Sequence, residues 1–119
     1  MKNLAPHITR QRLLIEGFYT REKITKKTVS KYFGEITKSL KLRTYGKPVI
    51  HAPSGQGKEI NQGYDAVVPL IDSGIYVGVW TNAKFFSTVI FTCKKFDNKK
   101  AIQLTKNFWK ISDAATHSF

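Results

Sequence analysis

The chain has 119 residues, 41% of them hydrophobic and 13% aromatic, with 20 lysines and arginines against 8 acids and a formal charge of +12. That is enough for one domain, 1–119, with a modest core; it is too apolar for a disordered basic tail and has no apolar run near the ~20 residues of a membrane span. A single cysteine cannot close an internal disulfide, and Met1-Lys-Asn-Leu-Ala-Pro-His7 lacks a secretory apolar core, so a cytoplasmic protein is expected.

Arg12–Tyr19 reads as a first short strand with one acid, Glu16, which by pattern alone is either a solvated charge or a site acid. Thr25 caps a helix predicted over Lys26–Leu42, whose Val29, Phe33, Ile36 and Leu40 form one apolar stripe against a lysine-rich back. Gly46-Lys-Pro48 turns the chain into a short strand, Val49–Ala52. It bears His51, which has no Cys or His partner at metal spacing, so no metal site is assigned. Pro53–Gly63 carries three glycines and a lysine but not the phosphate-loop spacing, and is expected to be a lid or oligomer loop. Pro69 places the next run, Tyr64–Ile71, at an edge or a bulge.

Leu70–Trp80 and Phe85–Cys93 alternate at period two and predict adjacent antiparallel strands. Ile75, Val77 and Val79 share one face, Gly74, Tyr76, Gly78 and Trp80 the other, and the two glycines leave a notch beside the aromatics. Asp97 or Asn98 then caps a last helix through Lys110, with Ala101, Leu104, Phe108 and Ile111 inward and Trp109 at the margin. Ser112–Phe119 reads as a frayed or interface tail. The order of elements predicts an α+β two-layer sandwich, an antiparallel sheet with both helices on one face. The uncovered face is apolar, so a homo-oligomer is expected, dimer or trimer.

The two central runs also resemble the pyruvoyl-serine region of the small prokaryotic S-adenosylmethionine decarboxylases. That pattern runs Glu-Ser-His-hydrophobic-Ser/Thr-hydrophobic-His-Thr-Trp, followed by a Phe-Thr-Cys strand end. On it, Asp72 and Ser73 fall on the self-cleavage pair, Trp80 on the tryptophan and Cys93 on the catalytic cysteine. Ile15-Glu16-Gly17 resembles the family's first strand, which presents a glutamate to the substrate. The resemblance runs from about residue 12 to 110 and implies the same architecture. The departures are chemical: the two histidines fall on Gly74 and Gly78, and the acid after the tryptophan falls on Asn82.

Pyruvoyl formation needs proton transfers that glycine cannot supply, so Ser73 is expected to remain in an uncut chain with no cofactor. The resembled family's substrate suggests a reaction that needs none. The α-carboxylate of S-adenosylmethionine can displace its own sulfonium, giving methylthioadenosine and homoserine lactone, if a protein holds the bent conformer. A lyase of this kind is the leading expectation, with Glu16, Asp72 and Cys93 as catalytic candidates and Tyr64, Ser73, Tyr76, Trp80 and Asn82 as substrate-binding candidates. A pyruvoyl-dependent decarboxylase, a regulatory subunit and a nucleic-acid binder are the alternatives. The positive charge is scattered over helix backs with no nucleic-acid motif, so a solvated surface is expected and nucleic acid is not an expected partner.

Overall fold

The structure, a computed structural model, describes residues 1–52 and 58–119. Residues 53–57 of the predicted Pro53–Gly63 lid therefore lie outside the described residues, and of the remainder Glu59–Asn61 forms a short 3-10 turn. Six antiparallel strands form one sheet in the order β2-β3-β4-β5-β1-β6. They are β1 (Gln11–Phe18), β2 (Val49–His51), β3 (Gly63–Leu70), β4 (Ser73–Trp80), β5 (Phe85–Thr92) and β6 (Ala115–Ser118). Two helices, α1 (Lys26–Ser39) and α2 (Asn98–Trp109), pack side by side on one face. This is the α+β two-layer arrangement that the alternation predicts. Among the described residues no helix is long and apolar enough to cross a membrane.

Thr25 caps α1 in a box, its hydroxyl accepting from the Thr28 N–H while Thr28 answers to the Thr25 N–H. The helix stops at Ser39 rather than Leu42. Lys41 turns left-handed at φ 56°, and the Leu42 N–H reaches the Thr37 carbonyl at 2.8 Å, which closes the end before a further turn can form. The amine of Lys94 then donates to the Lys41 carbonyl at 2.7 Å. α2 begins on Asp97 and closes the same way, with Lys110 left-handed at φ 56° and the Ile111 N–H on the Lys106 carbonyl. Lysine takes the place usually held by glycine in both caps.

The core lies between helices and sheet. Leu13 and Ile15 of β1, Ala66 and Val68 of β3, Ile75, Val77 and Val79 of β4, and Phe86 and Ile90 of β5 meet Val29, Phe33 and Ile36 of α1. Trp109, expected at the margin of α2, is at the centre: it is fully buried, stacks on Phe86 at 4.5 Å and touches the Tyr32 ring at 5.6 Å. Thr105, a polar residue, is also fully buried and widens the inward face of α2 beyond the apolar stripe, which brings Trp109 inside. The Thr105 hydroxyl bonds the Tyr32 phenol at 2.7 Å, which makes burial tolerable. Leu104 is only half-buried.

The expected frayed tail is instead a strand. Residues 115–118 pair with β1 in register, and the Phe119 N–H donates to the Arg12 carbonyl. The free edge of β1 offered unpaired backbone groups, a tertiary fact that a run of Ala, Thr, His and Ser does not announce. Pro69 lies not on an edge strand but beyond the last β2–β3 pair, Val49↔Val67, where the Tyr45 N–H donates to its carbonyl at 3.2 Å and no partner asks for the N–H that proline lacks. Gly63 is required by contact: a Cβ there, at φ 157°, would fall 1.8 Å from the Val79 carbonyl oxygen.

Candidate functional site

With the helices on one side, the other face of the sheet is open, and the register aligns its residues in rows across the strands. One row runs His51, Asp65, Gly78, Ser87, Glu16 and Ala115. The next runs Val49, Val67, Tyr76, Val89, Leu14 and His117. Trp80, Phe85 and Phe18 border the first row, and Gly74, Phe91 and Arg12 border the second. The strand residues of this face include two acids and a single cation other than histidine, Arg12, on a chain of +12.

Glu16 points onto this face and accepts from the Ser87 hydroxyl at 3.0 Å. Tyr76 donates its phenol to Asp65 at 3.3 Å. Burial first, and then the Asp65 charge and hydrogen bond, raise the Tyr76 pKa above its ordinary value, so the phenol stays protonated at neutral pH. The notch expected at Gly78 is filled from within: a Cβ there would meet the Trp80 ring at 3.0 Å and the Tyr76 hydroxyl at 3.2 Å. The indole is held over the glycine by its N–H, which donates to Asn61 at 3.0 Å. Phe18, Phe85 and Trp80 run edge to face, 5.2 and 5.4 Å between centroids. Gly74 remains open, with nothing nearer a Cβ than the Val68 carbonyl at 3.9 Å.

The other candidates sit apart. Asp72 is exposed in the β3–β4 turn at φ 58°, and Ser73 follows it. The Ser73 hydroxyl accepts from the Cys93 N–H at 3.4 Å, so the serine and cysteine meet through backbone across β4 and β5. Beside them is an open depression of 390 Å³ lined by Val67, Asp72, Ser73, Gly74, Ile75, Tyr76, Val89 and Phe91; half-buried Cys93 does not line it. Asn82, in the β4–β5 turn, donates to the Glu59 carbonyl at 3.4 Å. Tyr64 is not on this face at all. Its phenol turns to the helix side and donates to the Ile24 carbonyl at 3.3 Å, because β3 alternates and Asp65 takes the outward place. Among the described residues no group of three or more His, Cys, Asp and Glu is placed to hold a metal.

Of the residues that the sequence singles out, the strand pairing brings Glu16, Tyr76 and Trp80 onto one face, and it adds Asp65, Ser87, Phe18 and Phe85, which the sequence did not mark. Alternation in β3 marks Asp65 as outward, but only the register sets it opposite Gly78 and within reach of Tyr76. No family model and no curated protein matches the sequence. Among solved structures, the chain is similar to the adenosylmethionine decarboxylase from Aquifex aeolicus VF5. The TM-score is 0.75 with 13% identity, over 94% of this chain and 89% of that one. The fold is therefore that of the S-adenosylmethionine decarboxylase-like proteins.

Proposed function

We propose that the protein is a lyase that cleaves S-adenosylmethionine to methylthioadenosine and homoserine lactone without a cofactor. The observation that carries this reading is the open sheet face: on a strongly cationic chain it pairs two carboxylates, Glu16 and Asp65, with aromatic rings and an apolar floor of Val67, Val89 and Phe91. In the reaction a carboxylate oxygen forms a bond to Cγ as the Cγ–sulfur bond breaks. The sulfonium leaves as a neutral thioether, and no proton moves. Opposite charges annihilate, so a poorly hydrated apolar surface favours the transition state over the separated charges. The substrate ammonium keeps its charge throughout, and Glu16 or Asp65 can hold it without resisting the chemistry. Tyr76 and Trp80 offer faces to the sulfonium or adenine, a contact worth about 0.5–2 kcal/mol for the cation.

The processing positions support an uncut chain: the histidines of the resembled family are Gly74 and Gly78 here, and the hydroxyl of Ser73 accepts from a backbone N–H. A second reading, the pyruvoyl-dependent decarboxylase, is favoured at the level of fold by the similarity to the Aquifex enzyme. A non-catalytic regulatory subunit shares that support. We also propose that a second copy of the chain covers the open face and encloses the substrate site between the two. The face exposes Phe18, Val49, Val67, Tyr76 and Phe91, and each copy brings both Arg12 and the Glu16/Asp65 pair, so two copies complement each other in charge.

Incubating the pure protein with S-adenosylmethionine separates these readings. Methylthioadenosine and homoserine lactone without carbon dioxide are expected. Carbon dioxide together with a chain broken between Asp72 and Ser73 would establish the decarboxylase instead, and binding without turnover a regulatory role. Glu16→Gln keeps an acceptor for Ser87 but replaces a charged partner of the ammonium by a neutral one. A loss of about 1–2 kcal/mol, or roughly 5–30-fold in KM, is expected. Ser73→Ala should leave turnover intact.

A further inference from the structure

The charge missing from the sheet face is concentrated on the opposite side. α1 carries Lys26, Lys27, Lys31 and Lys38 against one acid, Glu35, and α2 carries Lys99, Lys100 and Lys106 against none. All but Lys106 are exposed. Asp97, the nearest acid of the α2 start, is engaged in capping and accepts from the Lys100 N–H at 3.2 Å. Between the helices runs an open groove of 870 Å³, its lining including Arg21, Lys31, Lys99 and Lys100 with Glu35 and Asp97. Arg21 is held there by its hydrogen bond to the Phe108 carbonyl at 2.9 Å and by its position 4.4 Å over the Phe108 ring.

We propose that the helical face is a docking surface for the phosphate backbone of duplex nucleic acid, bound without regard to sequence. Three observations select this occupant over other polyanions. Among the described residues neither helix exposes a large apolar side chain, so an acidic protein would find no anchor for a buried contact. No exposed aromatic lies on either helix, so a single strand would find nothing to stack its bases on. What remains is a row of flexible ammonium groups, which contact phosphates and read no bases. The recognition motifs absent from the sequence are those of base readout, and phosphate contacts need none. α1, at 14 residues, is about 21 Å long and matches roughly six base-pair steps. The proposal is independent of the lyase reading, because it uses the face opposite the candidate site.

Fluorescence anisotropy with a labelled 20-base-pair duplex of arbitrary sequence tests it. With about five phosphates neutralised, affinity should fall several-hundred-fold between about 50 and 200 mM salt, and a duplex of different sequence should bind within about two-fold. Lys31→Glu/Lys99→Glu/Lys100→Glu should lower the salt slope by about three and weaken binding at least tenfold. Lys2→Glu/Lys47→Glu/Lys84→Glu makes the same change in net charge on loops and should weaken it much less. Circular dichroism verifies the fold of both, and Lys→Gln versions provide a milder series. Equal losses in the two triple variants would overturn the proposal, since net charge alone would then account for binding. So would no binding at 50 mM salt, tighter binding of a single strand, or displacement by polyglutamate as effective as by duplex.

Discussion

Tyr32 should set the alkaline limit of stability. Its side chain is fully buried among Phe86, Phe108 and Trp109, with the phenol on Thr105 at 2.7 Å, and burial raises its pKa far above the ordinary value. Below pH ~10 the folded and unfolded chains both keep this proton, and its contribution to stability is fully present. Above that, the unfolded chain ionises while the folded one does not. Stability is then lost by about 1.4 kcal/mol per pH unit, or roughly 2 kcal/mol between pH 10 and 11.5. Tyr32→Phe removes this dependence, at a cost of about 1–3 kcal/mol at neutral pH for stranding the Thr105 hydroxyl. Urea unfolding of both proteins at pH 8 and 11.5 measures the difference, with lysine titration common to the two. The wild type should lose about 2 kcal/mol more than the variant. Equal losses would mean that Tyr32 ionises in the folded state as it does in water, and the burial argument would fail.

Gly63→Ala forces a Cβ to within 1.8 Å of the Val79 carbonyl and should destabilise by about 2–5 kcal/mol, read as a lower melting temperature; an unchanged melt would refute the contact. Thr25→Ala removes the capping box of α1 and should cost about 1 kcal/mol in denaturant unfolding. Gly78→Ala pushes at the Trp80 ring from 3.0 Å, and because that ring is half-exposed it can yield. Stability should change by less than about 1 kcal/mol, while the Trp80–Asn61 bond breaks and Trp80 emission moves to the red. Val67→Lys/Phe91→Lys places two charges on the open sheet face, and sedimentation should show a smaller species than the wild type; a wild-type monomer at all concentrations would remove the basis for the proposed second copy.

Local chemistry accounts for the parts of the fold that were legible. Thr25, the α1 stripe and the alternation of β4 and β5 each use a period or a cap that a window of residues contains, and the structure follows them. Where reading by window failed, the deciding partner was distant in sequence. Thr105 could be buried only because Tyr32, 73 residues away, bonds it, and that widened the α2 face enough to bring Trp109 to the centre. β6 exists because β1 had a free edge, a property of the sheet rather than of residues 115–118.

The candidate site divides in the same way. Alternation alone determined that Glu16, Tyr76 and Trp80 face away from the core, since side chains of a strand must point to opposite sides. Only tertiary structure decided which strands lie beside one another. The pairing Glu16↔Ser87↔Gly78↔Asp65 follows from β1 lying against β5 and from two hairpin registers, and it placed Asp65 at the site while Tyr64 turned to the helices. Likewise the net charge was plain in the sequence, but its division between a lysine-covered helical layer and a nearly cation-free sheet face arose only when the layers packed, because packing determines which faces remain in water.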